Sequence, residues 1–297
     1  MSTPAQELPL FSDQTLSRRL EGAEGRSNAE FVAAKASALP ESGAQSIKVA
    51  GAYVVYDGAT SPLTQTLGLG LFGAVTNVAM DVIEEFFKQR GAPVFHEVSP
   101  LADPALLTLL TERGYLPIEF TSVMHRPIRS DLRLAASRNG RIRVRQIKDG
   151  EEELWAQTAA QGWSDFADLA NLMWEIGRVN VTKANAPLFL AELDGEPIAT
   201  GSLNICDRVA LFAGASTIKK KRRLGAQLAL LDDRLRYAAE AGCDIAMMCA
   251  PPGGSSQRNA ERHGFQIAYT RIKWHLAADP GRKRRRVGNL SSPQLGD

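Results

Sequence analysis

The 297 residues carry 35 Lys and Arg against 33 Asp and Glu, a formal net charge of +2, with 44% hydrophobic and 23% charged residues. That composition belongs to a globular chain and excludes a disordered protein or a nucleic-acid binder acting through bulk charge. Cys206, Cys243 and Cys249 form no C-x-x-C pair, so a disulfide framework and a zinc site are not expected and a reducing cytoplasm is; no apolar run approaches the ~18 residues of a membrane span, and Met1 to Leu10 lacks the cationic flank and apolar core of a signal peptide.

In chain order, residues 1–28 form a polar N-terminal segment with scattered glycine. A first domain is expected over 29–130. It contains Gly68-Leu69-Gly70-Leu71-Phe72-Gly73 ahead of a helical stretch starting near Thr76. Glu97 follows at close to the ~20-residue spacing of a dinucleotide fingerprint. The preceding segment, Ala59 to Thr66, is polar and broken by proline. A dinucleotide fold opens instead on a buried apolar strand, so the nicotinamide reading is rejected. His96 is expected on a buried strand as a hydrogen-bonded core residue, and the histidines show no metal-ligand spacing. Ser130 to Gly140 is charged and polar and ends in the turn signal Asn139-Gly140. Residues 131–140 are therefore the expected linker.

The second domain is expected over 141–276. Arg141 to Ile147 alternates as a strand, and Glu151 to Gln161 and Asp165 to Gly177 read as helices. Leu188 to Leu193, a turn at Asp194-Gly195 and Pro197 to Ile205 form a hairpin, followed by a third strand, Val209 to Thr217. Gly225 to Ala241 is a helix closed by Gly242. Ile245 to Ala250 is a buried strand, Ser256 to His263 a short helix, and Phe265 to His275 the last extended segment. Residues 277–297 hold the basic run Arg282 to Arg286 and read as a solvated, disordered tail.

An internal repeat links the halves. Gly91, Val94 and Pro100 match Gly242, Ile245 and Pro251 at one offset, and Gly51, Tyr53, Val55 and Asp57 match Gly201, Leu203, Ile205 and Asp207 one position away from it. Glu112-Arg113-Gly114-Tyr115 resembles Glu261-Arg262-His263-Gly264-Phe265, and Phe120-Thr121 answers Tyr269-Thr270. The reading is two copies of one α/β unit.

The chemistry concentrates in Ile218-Lys219-Lys220-Lys221-Arg222-Arg223-Leu224-Gly225-Ala226-Gln227. A glycine at a helix start lets backbone N–H groups approach a ligand. Those groups, the helix dipole and the preceding cations suit a pyrophosphate. This loop, within this order of strands and helices, resembles the GNAT N-acetyltransferase family. Arg222, Gly225 and Gln227 fill its Q/R-x-x-G-x-G/A motif, with Gln227 departing from the usual small last residue.

The resemblance implies a fold of class α/β (α+β). Two tandem GNAT-like domains are expected, each a mixed, mostly antiparallel sheet flanked by helices. It implies acetyl-coenzyme A as cosubstrate, held by Ser216, Thr217, Ile218, Arg222, Arg223, Leu224, Gly225, Ala226 and Gln227, with Asn259 touching the cofactor arm. It also implies that the Val209 strand splays from the Ile245 strand to admit that arm. In the first copy, Gly73 to Val75 stand where Arg223 to Gly225 stand in the second. No cation remains there, and a degenerate copy is expected. The family's late-helix tyrosine falls on Ala260, so the general acid is missing. The strand before the cradle has no carboxylate, leaving Glu192 and Asp165 as candidate bases. Trp163, Phe166 and Trp174 flank the acceptor slot or pack in the core. The expected activity is acetyl transfer to an amine, a small molecule, with neither membrane nor nucleic acid as partner. The alternative is a non-catalytic acyl-coenzyme A sensor.

Overall fold

The computed structural model describes residues 11–129, 139–164, 167–180 and 186–277. The linker positions 130–138, Asp165, Phe166 and the tail from 278 lie outside them.

The first copy begins with α1 (Gln14–Ala38), a 25-residue helix capped by Asp13, whose side chain accepts from the Leu16 amide. α1 runs through residue 28, so residues 14–28 of the polar segment are structurally continuous with the first copy. Then follow β1 (Gln45–Val49), β2 (Ala52–Tyr56), β3 (Gln65–Leu67), α2 (Asn77–Lys88), β4 (Phe95–Val98), α3 (Ala105–Glu112) and β5 (Tyr115–Pro127). The second copy adds β6 (Ile142–Gln146), α4 (Glu152–Gly162) and α5 (Ala167–Asn180). It then repeats the earlier order as β7 (Leu188–Leu193), β8 (Glu196–Cys206), β9 (Val209–Thr217), α6 (Ala226–Glu240), β10 (Ile245–Ala250), α7 (Ser255–Arg262) and β11 (Gln266–Leu276). The repeat seen in the sequence is thus a repeat of elements.

The two expected sheets are joined into one of eleven strands, ordered β1-β2-β3-β4-β11-β5-β10-β9-β8-β7-β6. The copies trade their last strands: β11 lies beside β4, and β5 lies beside β10. The traded strands pair antiparallel at the centre, from Gln266↔His125 to Leu276↔Tyr115. Among the described residues the parallel pairs are β3 with β4 and β9 with β10, one in each copy.

Side-chain alternation along the central strands separates two layers. Val123, Leu211 and Met247 pack with Leu16 and Leu20 of α1. Their neighbours Met124, Phe212 and Met248 pack with α6 and with Ala260 and Phe265. α2 and α3 form a third cluster with Tyr115 of β5 and Trp274 of β11. α4 is anchored by Trp155, which is fully buried and donates from Nε1 to the Phe189 carbonyl at 3.0 Å.

Candidate cofactor cleft

The site grows from the end of β9. The chain leaves Thr217, makes a 3-10 turn at Lys219–Lys221 and enters α6 at Gly225. Gly225 has φ +96° and ψ 5°, and no side chain caps the helix. The first-turn amides of α6 are therefore open to an external acceptor, with the positive end of the helix dipole behind them. A Cβ at Gly225 would meet nothing within 4 Å. Glycine is needed there for its left-handed backbone, not for space. Arg223 shares that region at φ +65°. The five cations Lys219 to Arg223 precede the helix. Lys221 pairs with Glu196 at 2.7 Å. Arg222 folds back, donating to the carbonyls of Gly162 at 3.1 Å and Thr217 at 3.4 Å.

The cleft lies beside this helix start. β9 and β10 are paired only where Val209–Leu211 meet Ile245–Met247. Beyond that point Met248–Ala250 keep β5 as partner while β9 has none on that side among the described residues. β9 is buried from Val209 to Phe212, half-buried at Ala213 and Gly214, and exposed at Ala215. Gly214, at φ +60°, marks a bulge: the pairs Ser202↔Ala213 and Thr200↔Ser216 leave one extra residue on β9. A bulge of this kind disengages ladder amides and aims them away from the strand partner.

Neighbouring elements fix the end of β9. Ser216 Oγ donates to the Ala159 carbonyl at 2.8 Å, and a Cβ on Gly162 would fall 1.8 Å from that hydroxyl. α4 therefore closes against the strand with no room to spare. Gln227 Nε2 donates to the Ser216 carbonyl at 2.8 Å and to Thr217 Oγ1 at 2.9 Å. The residue that departs from the small-residue pattern thus ties α6 to β9. The Ile218 amide bonds the Ile198 carbonyl at 2.9 Å, and Ala226 is buried under the loop. Behind the bulge, the Arg234 guanidinium donates to the carbonyls of Ser202 and Ala213 at 3.1 and 3.3 Å. It has no carboxylate partner among the described residues, and burial pushes its pKa down to about 9.

The remaining expected positions lie on other elements. Asn259, on α7, accepts from Arg262 at 3.2 Å through Oδ1. Glu192 is held by Arg145 at 2.7 Å on β7, two strands from β9, or roughly 10 Å at ~4.8 Å per strand. Trp163 and Trp174 are half-buried. Ala260 is buried. Tyr269 is buried on β11 and donates to Glu21 at 3.0 Å. His96 is buried against Tyr115 with neither ring nitrogen hydrogen-bonded among the described residues; burial pushes its pKa down to about 3, so it stays neutral.

A charged cluster escaped sequence reasoning. Glu21 and Glu24 of α1 face Arg271, with Glu24 at 2.5 Å and Glu21 at 3.4 Å, and Glu97 of β4 is 2.9 Å from the same guanidinium. Glu24 also accepts from Cys249 Sγ at 3.4 Å, two positions beyond the last β9–β10 pair. Burial, opposed by Arg271, raises Glu21 to about 7. Glu24 is held below its ordinary range by Arg271, which outweighs the opposing effect of burial. The one sequence signal was the spacing of Ser17, Glu21 and Glu24 on a single helix face. It reads as a solvated stripe until the carboxylates' partners Tyr269 and Arg271, 247 to 250 residues away, are known.

In the first copy the equivalent cleft is filled. Leu69 and Leu71, just after β3, are buried with Ala102 of the β4–α3 loop and Leu106 of α3. The Asp103 amide bonds the Gly70 carbonyl at 3.0 Å, joining the two segments. The glycines of the G-x-G-x-x-G run serve packing. A Cβ on Gly70 would meet Leu106 at 2.9 Å, and one on Gly68 would meet the Phe72 ring at 2.6 Å. The following helix, α2, is capped internally by Thr76, whose Oγ1 accepts from the Ala79 amide at 3.2 Å.

No protein-family model matches the sequence, and no curated protein matches it. Solved structures do. A GCN5-related N-acetyltransferase from Kribbella flavida superposes with a TM-score of 0.58 at 19% identity, over 85% of this chain and 95% of that one. A GCN5-related N-acetyltransferase from Sphaerobacter thermophilus gives 0.55 at 15% identity, over 71% of each chain. A tandem GNAT protein from the clavulanic acid biosynthesis pathway gives 0.50 at 14% identity, over 77% of this chain and 79% of that one. With its repeated β-β-β-α-β-α-β order and one parallel strand pair per copy, this chain has the fold of the GNAT N-acetyltransferases in tandem form.

Proposed function

We propose that the second copy is an N-acetyltransferase that takes its acetyl group from acetyl-coenzyme A and passes it to a small-molecule amine, and that the protein is cytoplasmic. One observation carries the reading: an uncapped, glycine-led helix start with five cations before it stands beside the gap where β9 leaves β10. The open amides of Leu224 to Gln227 suit the pyrophosphate, and Ser216, Thr217 and Ile218 form the wall along the arm. Asn259 is assigned the outer end of that arm.

Amide formation makes an N–C bond, breaks the C–S bond with its electron pair leaving on the thiolate, and releases one proton from the amine. Residues around the Gly214 bulge suit polarisation of the carbonyl by backbone N–H groups. Glu24, at the rim of the α1 cluster and with Glu21 behind it, is our candidate for the proton acceptor. Glu24 and Glu192 are both held by an arginine; Glu24 is favoured by position, since it touches Cys249 of β10 beside the gap whereas Glu192 is two strands from β9. Asp165 is outside the described residues. Calorimetric titration of acetyl-coenzyme A, followed by thiol release with an amine panel, tests the reading. Absence of binding overturns it.

The second reading is a non-catalytic acyl-coenzyme A sensor. It is favoured by Ala260, buried and without a hydroxyl where the family's acid would stand. Tight binding without thiol release for any amine would establish it, and turnover above buffer would exclude it.

A further inference from the structure

A second pocket, of about 440 Å³, lies where the two copies meet across α1. Arg18, Arg19 and Arg26 reach it from α1, Lys48 from the β1–β2 hairpin, and Asp207 from the β8–β9 turn. Phe72 forms an apolar wall.

The cations there are fixed without being neutralised as a set. Arg19 pairs with Asp244 at 2.5 Å and Arg26 with Asp207 at 3.0 Å. Among the described residues Arg18 is held only by its Nε, which donates to the Leu71 carbonyl at 2.6 Å. Lys48 sits 4.3 Å from the centre of the Tyr53 ring. Neither Arg18 nor Lys48 has a carboxylate partner among the described residues, so two positive charges face the pocket unbalanced. Holding cations by a carbonyl and a ring face sets their positions while leaving donors for a ligand.

Phe72 is fixed as firmly. Cβ atoms on Gly51 and Gly68 would come within 2.5 and 2.6 Å of it, and both glycines have positive φ. Gly73 approaches the Ala50 carbonyl, with 3.1 Å to a Cβ placed there. The glycine run thus wedges one aromatic ring in place and leaves it 39% exposed. An exposed aromatic costs hydration, and fixing it beside uncompensated cations makes a surface matched to a ring that carries an anion.

We propose that this pocket binds a small anionic ligand with a planar ring, an aryl phosphate or a nucleotide-sized equivalent, separate from the coenzyme cleft of the second copy. The phosphate lies between Arg18 and Lys48, and the ring packs on Phe72. Because the walls come from both hairpins and α1, the ligand bridges the two copies.

Phenyl phosphate and inorganic phosphate, titrated separately into the full chain, test this. Phenyl phosphate is expected to bind at least ten-fold more tightly than inorganic phosphate and to raise the melting temperature. Arg18→Gln with Lys48→Gln should weaken both ligands at least ten-fold. Phe72→Ala should bring phenyl phosphate down to the level of inorganic phosphate. Gly225→Glu should leave both unchanged. If the phosphates bind equally to wild type and to the double variant, or if Gly225→Glu removes binding, the site is elsewhere and the proposal fails. Absence of binding at 10 mM (about 2.7 kcal/mol in standard free energy) also overturns it. Circular dichroism checks folding, and since Arg18 and Lys48 are exposed, their variants should retain the wild-type spectrum.

Discussion

The two copies start their central helices in opposite ways. α2 begins behind Thr76, whose hydroxyl satisfies an amide of the first turn. α6 begins behind Gly225, which has nothing to offer, and five cations stand before it. The strands beside them differ in the same sense. Leu69 and Leu71 close the first gap, whereas β9 leaves β10 after three paired residues. One framework serves both purposes. A self-satisfied helix start and a plugged gap make a support; an unsatisfied start and an open gap make the place we propose for an anion and its arm.

Four experiments press on this contrast. Unplugging the first copy with Leu69→Ala should have the largest effect, costing about 2–5 kcal/mol in denaturant unfolding while leaving acetyl-coenzyme A affinity within two-fold. Gly225→Glu places a carboxylate and a strained φ at the second cradle. It should weaken acetyl-coenzyme A at least 100-fold by calorimetry, about 2.7 kcal/mol, with a smaller change in stability. If affinity is unchanged, the cradle is misassigned.

The third experiment concerns pH. Glu21 is raised to about 7, so its protonated form is favoured by folding. Its contribution is present below the ordinary carboxylate range and is lost as pH rises toward 7. The melting temperature of Glu21→Gln minus that of wild type should therefore be larger at pH 8 than at pH 5, a difference in which the histidines cancel. Glu24 is shifted the other way and acts below that window. The smallest effect is expected for Thr76→Ala. Loss of the cap should cost about 1 kcal/mol and create no coenzyme affinity in the first copy, because the gap stays closed.

Much of the second copy was legible because its signals are local. Strand alternation, the Asp194-Gly195 turn and the closing Gly242 place β7 to β11 within a residue or two of their observed ends. The loop we propose as the cradle stood out for the same reason, since Arg222 to Gln227 are consecutive in the chain. What the sequence concealed depends on distant partners. Glu21 and Lys35 are buried in α1 because Arg271 and Asp57 meet them there, and neither pairing leaves a periodic trace. Gln227 looked like an imperfect motif until Ser216 and Thr217 appeared within its reach. The glycine run from Gly68 to Gly73 looked like a phosphate loop because close packing and phosphate binding ask for the same residue. Only Phe72 and Leu106 show which one is met.

The traded strands also set a timetable for synthesis. β5 is complete at Pro127, yet both of its neighbours, β10 and β11, come from 245–276. At about 5–20 residues per second, that strand waits roughly 7–30 s for its partners while the rest of the chain is made. During that interval the first copy has an unpaired strand carrying Leu116, Ile118 and Phe120, side chains that remain exposed even in the finished fold. A ribosome stalled just before residue 245 would therefore hold β4 and β9 without their inner neighbours and β5 with no neighbour at all, a form open to pairing with its twin on the next ribosome.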